Sequence, residues 1–241
     1  MEYVTPEGLR TDGRRPRELR KLGCQLGTLE SADGSATCEM GFTKVLAAVF
    51  GPRDTAGKLH PDRAVVRCQV ATAPFSAGER RRRGKRGPLA TEQAATIRET
   101  LAENIHLELL PRTQIDLYFH VLQADGGILS TCLNAGMLAL ADAGIPLKDL
   151  VGSCTVGYLE STPLLDLNYI EESGGGPLLP MAYQPNMDKI LMLQMDKGKL
   201  PVETFEVLAT LATEGCRAVT GQIRQSLMNH TKQLAVARGS V

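Results

Sequence analysis

Apolar and polar positions alternate in short runs through the first third of the chain, and that alternation predicts strands. The runs are Leu22 to Leu29, Thr37 to Met40, Lys44 to Phe50 and Val65 to Ala73. Ala32-Asp33-Gly34-Ser35 is a hairpin signal, and Gly51-Pro52 is expected to stop the third run. At Thr91 the period changes. Ile97, Leu101, Ile105 and Leu109 recur every four residues, which predicts a helix from Thr91 to Leu110 that ends at Pro111. Ile115 to Gln123 returns to alternation as a strand.

The stretch Val121 to Ile145 organises the rest. An extended apolar run ends at Gln123, Asp125-Gly126-Gly127 makes a turn, and a helix of small residues starts near Ser130. It runs through Leu133, Met137, Leu140 and Ala141. A strand, a glycine turn and a helix start together present free backbone N–H groups and a positive dipole end to an anion. This is the candidate phosphate site. Beyond it, Val151 to Glu160, Leu164 to Leu167, Leu178 to Tyr183 and Lys189 to Met195 read as strands, and Glu171 to Pro177 as a loop. Phe205, Leu208, Leu211, Ala212, Val219, Ile223 and Leu227 predict a long helix from Pro201 to His230, with a frayed tail after Lys232. The order implies an α+β chain of layered sheets and helices. No linker divides it, so one domain over 1–241 is expected, with halves at 1–150 and 151–241.

Composition changes this picture only locally. Of 241 residues, 43% are hydrophobic and 22% charged, enough for a well-buried core. Formal net charge is zero, so bulk charge points to no polyanion. The charge is concentrated in Pro74 to Leu89, PFSAGERRRRGKRGPL, where Arg80, Arg81, Arg82, Arg83, Lys85 and Arg86 sit among glycines with no apolar period. Such a loop grips phosphates without reading sequence, pairs with an acidic protein, or is solvated. The six cysteines show no CxxC pair and read as reduced core thiols, and the four histidines are dispersed, so neither a metal site nor a cofactor is expected. Gly174-Gly175-Gly176 lacks the Lys-Ser or Lys-Thr helix of a P-loop. No run is long enough to span a membrane and the N-terminus lacks a secretory h-region. Nucleus, including nucleolus, and cytoplasm are the expected locations.

Several segments in one order carry a resemblance. PEGLRTDGRRPRELR, ADGSATCEMGFTKVLAAVFGPR, PFSAGERRRR, LPRTQIDLYFHVLQADGG, ALADAGIPLKDLV and LLDLNYIEE resemble the RNase PH superfamily. Within it they are similar to eukaryotic, fungal-like RNA exosome ring subunits related to the catalytic subunit of the archaeal exosome. The likeness runs from Pro6 to about Glu172. It implies the RNase PH fold, two βαβα-like halves of the ribosomal protein S5 domain 2-like kind. It implies a chemistry in which inorganic phosphate attacks the last phosphodiester of an RNA 3′ end and releases a nucleoside diphosphate. It also implies partners: other RNase PH-like subunits in a six-membered ring, cap subunits, a hydrolytic exoribonuclease and single-stranded RNA.

That chemistry needs a phosphate cradle, cations along the RNA and a proton donor for the leaving oxygen. By the resemblance, the cradle matches Gly126, Gly127, Ile128, Leu129 and Ser130. Ile128 stands where active members carry a hydroxyl residue and Leu129 where they carry arginine, and neither side chain donates a hydrogen bond. Gly127 and Ser130 remain as vestigial anion binders. Asp166 matches the general acid and Glu172 a second carboxylate. An Arg-Arg pair ahead of the first long helix is replaced by Pro88 and Leu89. Arg67 and the Arg80 to Arg86 loop are the candidate RNA contacts. The arginines of Asp12-Gly13-Arg14-Arg15 are candidates to pair with a neighbouring subunit or RNA, or to lie at the surface. The expectation is a non-catalytic ring subunit that supports 3′–5′ RNA processing and degradation. The alternative is an active phosphorolytic exoribonuclease.

Overall fold

The alternating runs form nine strands in two sheets, and four α-helices pack on and between them, among the residues described. The computed structural model describes residues 3–5, 7–54, 62–78, 88–196, 198–237 and 239. The basic loop Arg80 to Arg86 lies outside them.

The first sheet joins β1 (Leu22–Leu26), β2 (Gly34–Met40), β3 (Thr43–Asp54), β4 (Val65–Thr72) and β5 (Thr113–Gln123) in the order β1-β2-β3-β5-β4. All its pairs are antiparallel except β4 with β5. A parallel pair needs a crossover, and α1 (Pro88–Asn104) supplies it. The second sheet is antiparallel, β7-β6-β8-β9, from β6 (Gly152–Leu159), β7 (Thr162–Leu165), β8 (Leu178–Gln184) and β9 (Lys189–Leu193).

Helix α2 (Ile128–Asp142) packs on β2 and β3 of the first sheet and on β6 of the second. Every residue from Ser130 to Leu140 is therefore buried, which explains why its sequence is apolar or small all round. Where α2 must carry a polar group, the group is satisfied across the layers. Asn134 Nδ2 donates to Ser153 O at 2.9 Å, and Ser153 N donates to Asn134 Oδ1 at 2.8 Å. Helix α4 (Val202–Ala237) turns Leu208, Leu211, Ala212, Cys216, Val219 and Ile223 onto β6, β8 and β1. All six cysteines are free thiols, four of them buried.

Several boundaries differ from expectation. Helix α1 begins at Pro88, a residue suited to a first turn, and ends at Asn104. There the chain leaves the helix to bond the 146–149 segment: His106 N donates to Pro146 O at 3.0 Å and Ile105 bridges Leu147. Leu109 consequently falls in a 3-10 turn and is 66% exposed. Strand β3 passes through Gly51-Pro52 to Asp54, because a bulge between Phe50 and Arg53 interrupts the ladder there, where proline lacks an N–H to give. Strand β7 stops at Leu165, since Asp166 has a left-handed φ of 54°. Residues expected to be loop include the end of a short helix, α3 (Tyr169–Ser173), held by a capping box between Asn168 and Glu171. Helix α4 continues to Ala237.

Candidate functional site

The turn between β5 and α2 needs glycine for two separate reasons. Gly126 has φ +78°, and a Cβ there would lie 2.6 Å from Leu167 O, so the turn is pressed against the Asp166–Asn168 backbone. Gly127, with φ 62°, is the N-cap of α2 and has no side chain with which to cap it. A carboxylate does so instead: Gly127 N donates to Glu172 Oε1 at 2.7 Å. The amide that precedes α2, the natural place for an anion, therefore already holds one belonging to the chain.

Asp166 is placed by the same close packing. Its side chain is 1% exposed and both oxygens are engaged by Arg20. Arg20 Nη2 donates to Oδ1 at 2.7 Å, while Nε and the backbone N donate to Oδ2 at 3.0 and 2.9 Å. The guanidinium also reaches the turn, where Nη1 donates to Asp125 O at 2.6 Å. Thr43 Oγ1 completes the clamp by donating to Gly126 O at 2.6 Å. Burial works against the charge on Arg20, but the hydrogen-bonded Asp166 carboxylate, with Asp125 and Glu172 nearby, holds its pKa above the usual guanidinium value. Asp166 is thus one half of a buried, forked ion pair that ties the N-terminal arm to the glycine turn.

A second buried pair lies beside the first. The side chains of Arg10 and Glu171 are fully buried and ion-paired, and Arg10 Nη1 also donates to Leu165 O at 2.6 Å. Arg14 Nη1 donates to Asp166 O at 3.0 Å. Three arginines of the arm thus hold the 165–171 segment. The sequence offers Arg14 as a contact to a neighbouring subunit, to RNA or to solvent, and gives no role to Arg10 or Arg20; in the fold Arg14 bonds within the chain. The available signal was an arm rich in cations, without apolar period, in a chain whose segment 166–172 carries three acids.

The remaining candidates are distributed as follows. Ser130 is 1% exposed and its hydroxyl pairs with that of Thr155 at 2.9 Å. Ile128 and Leu129 are half-buried and pack against the main core. Arg67 is exposed on β4, the edge strand of the first sheet. Pro88 and Leu89 form the start of α1. The structure thus brings together Gly127, Ser130, Asp166 and Glu172 around the turn. Their hydrogen bonds run to one another's neighbours within the chain, to Arg20, Thr155 and the α2 amide. Among the described residues no cluster of three metal-ligating side chains occurs.

Comparison with known proteins gives a consistent result. Residues 18–146 match domain 1 of the 3′ exoribonuclease family, RNase PH, and residues 149–215 match domain 2. The exosome complex component RRP41 homolog of Arabidopsis thaliana is 52% identical over 243 residues, covering 100% of both chains. Exosome complex component RRP41 of Homo sapiens is 40% identical, covering 99% of this chain and 98% of its own. Exosome complex component Rrp41 of Methanopyrus kandleri is 43% identical, covering 93% and 94%. Among solved structures, rice Rrp46 superposes with a TM-score of 0.79 at 29% identity, over 90% of this chain and 100% of that one. An Archaeoglobus fulgidus exosome with RNA bound to the active site superposes with a TM-score of 0.80 at 23% identity, over 90% and 93%, a likeness of fold.

Proposed function

The chain belongs to the 3′ exoribonuclease family, RNase PH, and from that membership we propose that it is a ring subunit of an RNA exosome without a phosphorolytic centre of its own. Full-length relatives in a plant, a mammal and an archaeon bear the name of exosome components, which supports the assembly. One observation supports the non-catalytic reading. The groups that survive at the cradle are spent inside the chain: Asp166 on Arg20, and the Gly127 amide on Glu172.

Phosphorolysis would require phosphate to displace Glu172 from that amide and to bind without the arginine that the resemblance implies at position 129, where Leu129 stands, while the guanidinium present at the turn, Arg20, is already engaged by Asp166. Losing a close charged partner of this kind costs about 2–5 kcal/mol. Proton delivery by Asp166 would further require a carboxyl that is not serving as acceptor to a forked arginine. The opposing reading, an active phosphate-dependent 3′–5′ exoribonuclease, rests on the retention of Asp166 and Glu172.

In the proposed role the chain contributes surface to RNase PH-like neighbours in a six-membered ring, beneath cap subunits. It helps thread single-stranded RNA to a separate hydrolytic nuclease, in nucleus and cytoplasm. Arg67 and the Arg80 to Arg86 run supply the cations, which act on the phosphate backbone without reading sequence. The assembly is tested by isolating the tagged chain from its own cells. It is expected to sediment with five further RNase PH-like subunits and to shield bound RNA from added nuclease. A chain that sediments alone and shields nothing would overturn the proposal.

A further inference from the structure

Ten aromatic residues occur in the sequence, five Phe and five Tyr. Among the described residues, the large exposed ones are three: Phe42 and Phe75, each 72% exposed, and Tyr169, 61% exposed. They come from separate places, the β2–β3 turn, the segment after β4 and the start of α3. All three line one groove of about 630 Å³. Gln123, Ala124 and Asp125 form another part of its wall, so the groove runs up to the glycine turn. Solvent exposure of three large rings is unfavourable, and their convergence marks a binding surface.

A second, independent feature narrows the ligand. Ser76 lines the same groove and is 5% exposed, yet its hydroxyl has no hydrogen-bond partner among the described residues. A buried hydroxyl left unpaired is costly and is normally satisfied. An aliphatic side chain from a partner protein would cover the rings but leave that hydroxyl unmet. A flat heterocycle with ring nitrogens and exocyclic groups can do both. In sequence, four arginines begin two residues after Gly78 at the groove's edge, a charge that suits a phosphate backbone.

We infer that this groove is a nucleobase subsite, in which Phe42, Phe75 and Tyr169 stack on single-stranded RNA and the Ser76 hydroxyl bonds a base edge. The inference rests on the functional reading above, that the assembled chain takes RNA. Stacking of this kind tolerates any base, because every base has a flat face.

The test measures binding of the assembled complex to a labelled oligoadenylate and to an abasic oligonucleotide with the same number of phosphates. Phe42→Ala and Phe75→Ala are each expected to weaken the oligoadenylate by about tenfold and leave the abasic strand unchanged. Tyr169→Phe keeps the ring and is expected to bind as wild type. Variants that bind both strands as wild type does would overturn the subsite. So would variants that fail to join the complex yet leave its RNA affinity intact, which would make the groove a protein-docking surface. A wild-type complex that binds neither strand would overturn the functional reading, and the subsite with it.

Discussion

Arg20→Ala is expected to destabilise the chain by about 3–5 kcal/mol, the cost of leaving a buried carboxylate without its partner. The Asp166 side chain is 1% exposed and Arg20 supplies both halves of its hydrogen-bond fork. The same substitution frees the Asp125 carbonyl that Arg20 holds, so the glycine turn loosens as well. Urea unfolding reads the effect. Arg20→Lys should recover only part of it, because a point charge cannot fill both ends of the fork. The double change Arg20→Ala with Asp166→Ala should cost less than the sum of the singles, since neither charge is then left alone. Additive losses, or a loss near zero for Arg20→Ala, would show that the pair does not hold the turn.

The second large effect is expected at Gly126. Gly126→Ala combines a left-handed φ of +78° with a Cβ 2.6 Å from Leu167 O and 2.7 Å from the Asn168 carbonyl carbon. Left-handed strain and the forced movement of packed backbone together cost about 2–4 kcal/mol. In a chain of this size that lowers Tm by roughly 5–15 °C. Gly221→Ala is the matched control. It lies on α4 with open space where the new methyl would go, so it should be neutral or stabilising by up to about 1 kcal/mol. Equal melting shifts for the two variants would contradict the close packing of turn on loop.

What could be read in the sequence was what is periodic. Helix α2 is apolar or small on every side over most of its length because it is enclosed by two sheets, and α4 shows one apolar face because it has one covered side. In the first sheet β3 and β5 alternate over part of their length, whereas β2 is buried on both faces. The elements that were misplaced depend on contacts without a local period. Helix α3 has five residues, too few for a period, and is fixed by its cap. Helix α1 stops where the chain turns to meet the 146–149 segment, a distant partner that the four-residue spacing cannot record. Strand β3 survives a proline because a bulge spares the missing N–H.

The site divides in the same manner. By the resemblance, Ile128 and Leu129 depart from the cradle motif, and a departure of that kind is visible in the sequence. The two ion pairs are invisible, since Arg20 lies 146 residues from Asp166 and Arg10 lies 161 from Glu171. Nor does a motif show that Glu172 sits on the Gly127 amide. These contacts change the meaning of the retained acids. They hold the turn, the arm and the 165–171 segment in one piece, which gives a reason for their persistence that needs no reaction.

The most direct measurement is product formation by the assembled complex on 3′-hydroxyl RNA, with and without inorganic phosphate. The complex should carry a hydrolytic nuclease inactivated by mutation, so that any remaining turnover comes from the ring. The proposed non-catalytic role predicts no nucleoside diphosphate above background. Phosphate-dependent release of nucleoside diphosphates, lost on Glu172→Gln in a complex that still assembles, would contradict it.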